Sequence, residues 1–210
     1  CVPSKTLIAT SDLLTEVGSS AELGVEVPRS VRADLAAVNA RVLELAAAQS
    51  SDIAERMDAA GVTVLAGTGR ITGPRTVVAA TATGEATLEA DGILVATGAH
   101  PRVVDTARPD GERILTWEQV YGLRQIPEHL IVVGSGVTGA EFASAYNGLG
   151  APVTLVSSRS RVLPGEDPDA ANLIEDVFTR RGMTVMDNAR MRSVERRGDE
   201  VVVKLTDGRA

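Results

Sequence analysis

Aromatic residues are scarce in this chain: Phe, Trp and Tyr together make 2% of its 210 residues. A core must therefore be built from Ala, Val, Leu and Ile. A single cysteine excludes an internal disulfide framework and favours a reducing compartment. No apolar run approaches the roughly 18 residues of a membrane-spanning helix, and no stretch has the order of a signal peptide. A cytoplasmic location is expected. The 21 Lys and Arg are outnumbered by 28 Asp and Glu, which argues against a nucleic-acid or anionic-membrane surface. His100 and His129, the two histidines, have no cysteines or carboxylates at ligand spacing, so no metal is expected. What remains is an ordinary globular composition, long enough for one large or two small domains.

The chain opens at Cys1 without a methionine and stops at Ala210, just past a hairpin-like turn. The expectation is a piece of a longer protein. Residues 1–17 read as helical after Pro3, and 18–28 as a loop. Val31, Leu35, Val38, Val42, Leu45, Ile53 and Met57 recur at helical steps, with Gly61 as the C-terminal stop. We read this stripe as a packed face. From Val62 the period shortens. Residues 62–65, 75–80 and 85–89 read as short strands, and 92–98 as a buried-type strand ending in a small-residue turn. Residues 105–128 are a polar connection with a short helix around 117–123, where Trp117 serves packing. A βαβ unit follows from Leu130, then a helix with Leu173, Val177 and Phe178. Val185, Val194 and 201–205 complete a sheet with a terminal hairpin.

The most informative stretch is Ile131-Val132-Val133-Gly134-Ser135-Gly136-Val137-Thr138-Gly139-Ala140-Glu141. Apolar residues lead into G-x-G-x-x-G, and Ala143, Ala145 and Leu149 continue a helix. The first glycine makes the tight turn, the second lets a diphosphate approach the backbone, and the third lets helix and strand pack closely. The helix N-terminus adds N–H donors and partial positive charge. The alternative is a structural glycine turn. Beyond the second strand, 153–156, stands Ser157-Ser158-Arg159-Ser160-Arg161. NAD-selective sites carry an acid here for the ribose 2′-OH. Its absence lets Arg159 or Arg161 pair with a 2′-phosphate, unless both are solvated surface residues. NADPH is expected to be accepted, with NADH not excluded. The acidic residues of 166–169 read as a helix cap.

Cys1-Val2-Pro3-Ser4-Lys5 places a cysteine just before a helix start, where the helix dipole and Lys5 favour its thiolate. Such a residue is a nucleophile or redox thiol, or else a buried structural cysteine.

That pentapeptide, Ala96-Thr97-Gly98 and the 134–141 loop together resemble the flavin- and pyridine-nucleotide-dependent disulfide reductases, over essentially the whole chain and in family order. The resemblance implies an α/β fold with two Rossmann-like dinucleotide-binding domains, for FAD and NAD(P), both partial here. Residues 1–120 would belong to the FAD domain and 121–210 to the NAD(P) domain. It implies that Cys1 is the redox cysteine nearest the flavin, with its partner upstream of residue 1. Lys5 would sit by the flavin, paired with Glu141. Gly69, Thr97, Gly98 and Ala99 would touch FAD. Gly134, Ser135, Gly136, Val137, Thr138, Gly139, Ala140 and Glu141 would hold the nicotinamide nucleotide, with Ser157, Arg159 and Arg161 beyond them. Met191 would lie near its adenine or serve packing. Val137 replaces a gating tyrosine of glutathione reductases, which implies an ungated nicotinamide pocket.

Ile114-Leu115-Thr116-Trp117-Glu118, residues 135–146 and 153–169 are similar to a lipoamide-dehydrogenase-related branch of NAD(P)H quinone reductases. Members of that branch can lack the upstream cysteine, so single-thiol and disulfide chemistry both stay open. The expectation is an enzyme passing hydride from NAD(P)H to FAD and on to a quinone. The alternatives are dihydrolipoamide or other disulfide reduction, and a non-enzymatic nucleotide-sensing module. The full-length protein is expected to be a homodimer acting on a small molecule. The chain lacks the FAD glycine loop, a late Gly-Asp segment and a dimerisation domain, so by itself it is expected to be inactive.

Overall fold

The structure is a computed structural model that describes residues 2–28 and 31–210. It is α/β, with parallel and antiparallel sheets. Its contacts divide it into two units. Ala47–His100 forms one, and the residues before and after it form the other.

The larger unit is built on β4 (Leu130–Val133), α3 (Val137–Gly148), β5 (Val153–Val156), α4 (Pro168–Arg180) and β6 (Thr184–Met186). The strands pair in parallel in the order β4-β5-β6. Helices between successive parallel strands make half of a doubly wound sheet, with its ligand crevice at the carboxyl ends of the strands. Asp167 caps α4, accepting from the Asp169 and Ala170 N–H groups at 2.9 and 3.2 Å, with Pro168 just inside the helix. This matches the capping expected of 166–169.

Helix α1 (Val2–Ser19) packs on α3. A Cβ on Gly148 would lie 2.1 Å from Ser11 Oγ, so a larger residue there would force the Ser11 side chain to move. Leu7, Leu35, Val42, Tyr146 and Leu155 are almost wholly buried at the centre of the core. With so few rings available, the Tyr121–Phe142 edge contact is the sole aromatic pair among the described residues, its centroids 5.8 Å apart. Strands β7 (Met191–Arg197) and β8 (Glu200–Leu205) form a separate two-stranded sheet rather than completing the parallel one.

Helix α2 spans Leu35–Ala59, four residues later than its first expected apolar position. Asp34 receives the Ala37 N–H and starts it. Gly61 ends it in the left-handed region (φ 71°), and the Val62 N–H bonds Met57 O at 2.9 Å, which closes a Schellman motif. Leu35 and Val42 are buried, whereas Leu45, Ile53 and Met57 are exposed, so only the first half of the stripe is a packed face.

In the smaller unit β1 (Gly67–Ile71), β2 (Thr76–Thr81) and β3 (Gly84–Glu89) form an antiparallel meander. Strand β1 was not expected from its sequence, which is rich in glycine. Two expected strands, 62–65 and 92–98, are instead irregular, and Leu94 is 90% exposed. A strand exists only as a member of a ladder, and no described strand pairs with either segment.

Candidate functional site

The loop at the carboxyl end of β4 divides its work among three glycines. Gly134 takes φ +113° and turns the chain. Gly136 is the N-cap of α3 at φ −72°, and no atom lies within 4 Å of where its Cβ would stand. The space over it is open to a ligand. At Gly139 a Cβ would lie 1.8 Å from the Gly134 carbonyl oxygen, so the helix can press on the turn only through a glycine. No side chain caps α3 at its N-terminus. The N–H groups of its first turn therefore point outward with the positive end of the helix dipole. Val137 and Thr138 are exposed there. Ala140 is buried, and its N–H is spent on Gly136 O at 2.9 Å. These residues fit a diphosphate.

Ser135 and Ser157 are both buried, 5% and 0% exposed, and their hydroxyls bond at 2.7 Å. They are expected contacts of the nucleotide, but the structure places their side chains beneath the surface. Beyond Ser157 the chain turns outward. Arg159 is exposed and Arg161 partly so, and neither pairs with a carboxylate among the described residues. They line an open depression of about 480 Å³ with Ser160, Pro164 and Gly165. Two unpaired guanidinium groups beside a diphosphate-sized loop suit a phosphate.

Lys5 of α1 and Glu141 of α3 form an ion pair, with side chains 60% and 28% exposed. Tyr121 and Tyr146 lie in the same unit. Burial, and for Tyr121 then the charge of Glu141, pushes both phenols up to about 12. Tyr146 donates to Val120 O at 3.3 Å.

Gly69 lies in β1 of the smaller unit, and Thr97, Gly98 and Ala99 lie exposed near that unit's end. Gly98 takes φ +72° with nothing within 4 Å of its missing Cβ, which leaves its backbone open to a ligand. Met191 is half-buried against Val156, Ala189, Val203 and Leu205. Cys1 lies outside the described residues. Trp117 is 43% exposed, so its packing is partial.

Three residues that shape the site carried no local signal. Leu163 adopts φ 46°, rare for a leucine, and donates its N–H to Ser135 O at 2.8 Å. Glu175 of α4 receives the Val162 N–H at 3.0 Å. Asn188, at φ 49°, donates its N–H to Arg159 O at 2.8 Å. Each ties together segments distant in the chain, Leu163 and Asn188 through backbone bonds and Glu175 through its carboxylate. Among the described residues no group of three or more His, Cys, Asp or Glu is placed to hold a metal, and no helix is long and apolar enough to cross a membrane.

Comparison with known proteins is consistent across three levels. The sequence profile of the pyridine nucleotide-disulphide oxidoreductases matches residues 1–210. A protein named NAD(P)H dehydrogenase (quinone) from Mycobacterium tuberculosis is 50% identical over all of this chain and 44% of its own length. The dihydrolipoyl dehydrogenase of Chlorobaculum parvum is 34% identical over 92% of this chain and 41% of its own. The crystal structure of LpdA from Mycobacterium tuberculosis superposes with a TM-score of 0.89, covering 100% of this chain and 46% of that one, at 50% identity. The chain thus spans less than half the length of these relatives.

Proposed function

Because this chain belongs to the pyridine nucleotide-disulphide oxidoreductase family, we propose that the protein carrying it is a flavoenzyme moving hydride from NAD(P)H to FAD and electrons on to a quinone. The observation that carries the nucleotide half is the open space over Gly136 at the uncapped start of α3. There the backbone N–H groups of the loop bind the diphosphate, while Arg159 and Arg161 receive a 2′-phosphate. NADPH is therefore accepted. Residues 1–120 serve the flavin and 121–210 the nicotinamide nucleotide. That division follows the order of motifs, whereas the two compact units follow packing.

The bound flavin supplies the redox chemistry. In the larger unit Lys5, paired with Glu141, would supply a positive charge to the flavin. Taken separately, Gly69 and Thr97–Ala99 of the smaller unit would supply backbone contacts. By its motif Cys1 would be the redox thiol that serves the flavin. The whole protein acts in the cytoplasm as a homodimer. The quinone as acceptor rests on the 50% likeness to a quinone-reducing relative. A disulfide acceptor is the second reading, favoured by Cys1 in its motif and by the dihydrolipoyl dehydrogenases among the relatives.

The deciding experiment is NAD(P)H oxidation by the flavin-loaded protein, with a menadione-type quinone and separately with lipoamide, before and after Cys1→Ser. Under the quinone reading the variant keeps quinone activity within about tenfold, or ~1.4 kcal/mol of barrier. Under the disulfide reading wild type reduces lipoamide and the variant does not. Loss of quinone activity in a folded, flavin-loaded variant would show the thiol to be obligatory and direct transfer to be wrong.

A further inference from the structure

Ser157 closes the carboxyl end of β5, and its hydroxyl meets four polar atoms. Ser135 Oγ lies at 2.7 Å, the carbonyls of Arg159 and Arg161 both at 3.2 Å, and the Arg159 N–H donor at 3.1 Å. A serine hydroxyl has one proton and two acceptor sites. The Arg159 N–H fills one acceptor site. The two carbonyls can only accept and share the single Ser157 proton with Ser135 Oγ; between the two hydroxyls either can donate. The hydrogen-bonding capacity of a wholly buried side chain is used up on two loops at once.

We propose that this buried serine pair is a specificity device. It joins the diphosphate loop to the arginine loop, so that Arg159 and Arg161 are held in place before a 2′-phosphate arrives. Ser157 is thus a positioning residue. The proposal rests on the reading of these arginines as phosphate contacts. Its physical basis is preorganisation: a loop already in its bound shape has less freedom to lose on binding. The effect falls on one cofactor more than the other. The diphosphate loop keeps two ties of its own when the Ser157 hydroxyl is removed, from the Leu163 N–H to Ser135 O at 2.8 Å and from the Gly134 N–H to Val156 O at 2.9 Å. The turn at 159–161 loses every bond it makes to Ser157 Oγ and retains the Asn188 N–H to Arg159 O. A nucleotide without the 2′-phosphate engages mainly the first loop.

The test is direct titration calorimetry of NADP+ and NAD+ on the whole flavin-loaded protein. Flavin content and thermal midpoint report folding. The variants are Ser157→Ala, Ser135→Ala and the double variant Arg159→Ala/Arg161→Ala. Ser157→Ala should raise the Kd for NADP+ about tenfold while that for NAD+ moves less than about threefold. Ser135→Ala leaves every bond between Ser157 and the arginine loop and removes only the bridge. It should shift the ratio in the same direction by less, and it stands in for Ser157→Ala if that variant does not fold. Equal weakening of both nucleotides by the serine variants would mean a merely structural role and overturn the proposal. An unchanged ratio in the serine variants, with selectivity lost in the arginine double variant, would overturn it and leave the phosphate reading standing. An unchanged ratio in all three would overturn the phosphate reading itself, and the proposal with it.

Discussion

Gly139 and Gly134 meet so closely that a methyl group on the first would fall 1.8 Å from the carbonyl oxygen of the second. Gly136, three residues before Gly139, has nothing within 4 Å of its missing Cβ. One motif therefore holds two glycines in opposite surroundings, the third pressed against protein and the second facing open space.

The two should separate by mutation. Gly139→Ala is overpacked and should cost about 1–3 kcal/mol of stability, seen as a lower denaturation midpoint. Gly136→Ala, at φ −72°, is free of backbone strain and should stay within about 1 kcal/mol of wild type. It should nonetheless weaken the nicotinamide nucleotide about tenfold or more by titration calorimetry, with bound FAD retained. Unchanged nucleotide affinity would reduce the loop to a structural turn.

Arg159 and Arg161 have no carboxylate partner among the described residues and border the depression beside Gly165. Replacing both with Ala should raise the KM for NADPH about tenfold or more, ~1.4 kcal/mol, and leave NADH little changed. Steady-state kinetics with the two nucleotides check this, and equal effects on both would remove the arginines from the site.

The Lys5–Glu141 pair is largely exposed on its lysine side. Exposed pairs contribute ~0–1 kcal/mol, so Lys5→Gln should barely move the thermal midpoint. If the lysine serves the flavin, the same variant should slow flavin reduction by NAD(P)H in stopped-flow absorbance. A normal rate together with a lowered midpoint would make the pair a helix clamp and nothing more.

Asp110 draws together a loop and a hairpin. Its Oδ1 accepts the N–H groups of Glu112, Arg113 and Ile114 at 2.8–2.9 Å, and its Oδ2 accepts from Arg196 of β7 at 3.3 Å. These bonds, the Ile114 N–H foremost, hold its carboxyl well below the ordinary value of 3.8. A lowered carboxylate pKa stabilises the fold above the unfolded-state value, and the gain is lost as pH falls below it. Asp110→Asn should therefore lower the thermal midpoint near pH 7, and the gap from wild type should shrink as pH drops below 3.8. A gap that is the same at pH 7 and pH 3 would contradict this.

The sequence alone determined the βαβ core, the turn at Gly134 and the close packing at Gly139. Strand, turn and helix there are contiguous, and the roles of these two glycines follow from their spacing. It also marked the Asp167 cap, the missing acid after β5, and Lys5 and Glu141 as partners by family resemblance. The tertiary structure decided what depends on neighbours. Residues 92–98 carry an apolar strand-like pattern yet form no strand, because pairing belongs to a ladder and not to a segment. Strand β1 forms despite its glycines, since β2 supplies that ladder from Gly67↔Thr81 to Ile71↔Val77. Ser135 and Ser157 look alike in sequence to any polar loop residue. Only folding buries them together, 22 positions apart, and bonds their hydroxyls between two loops.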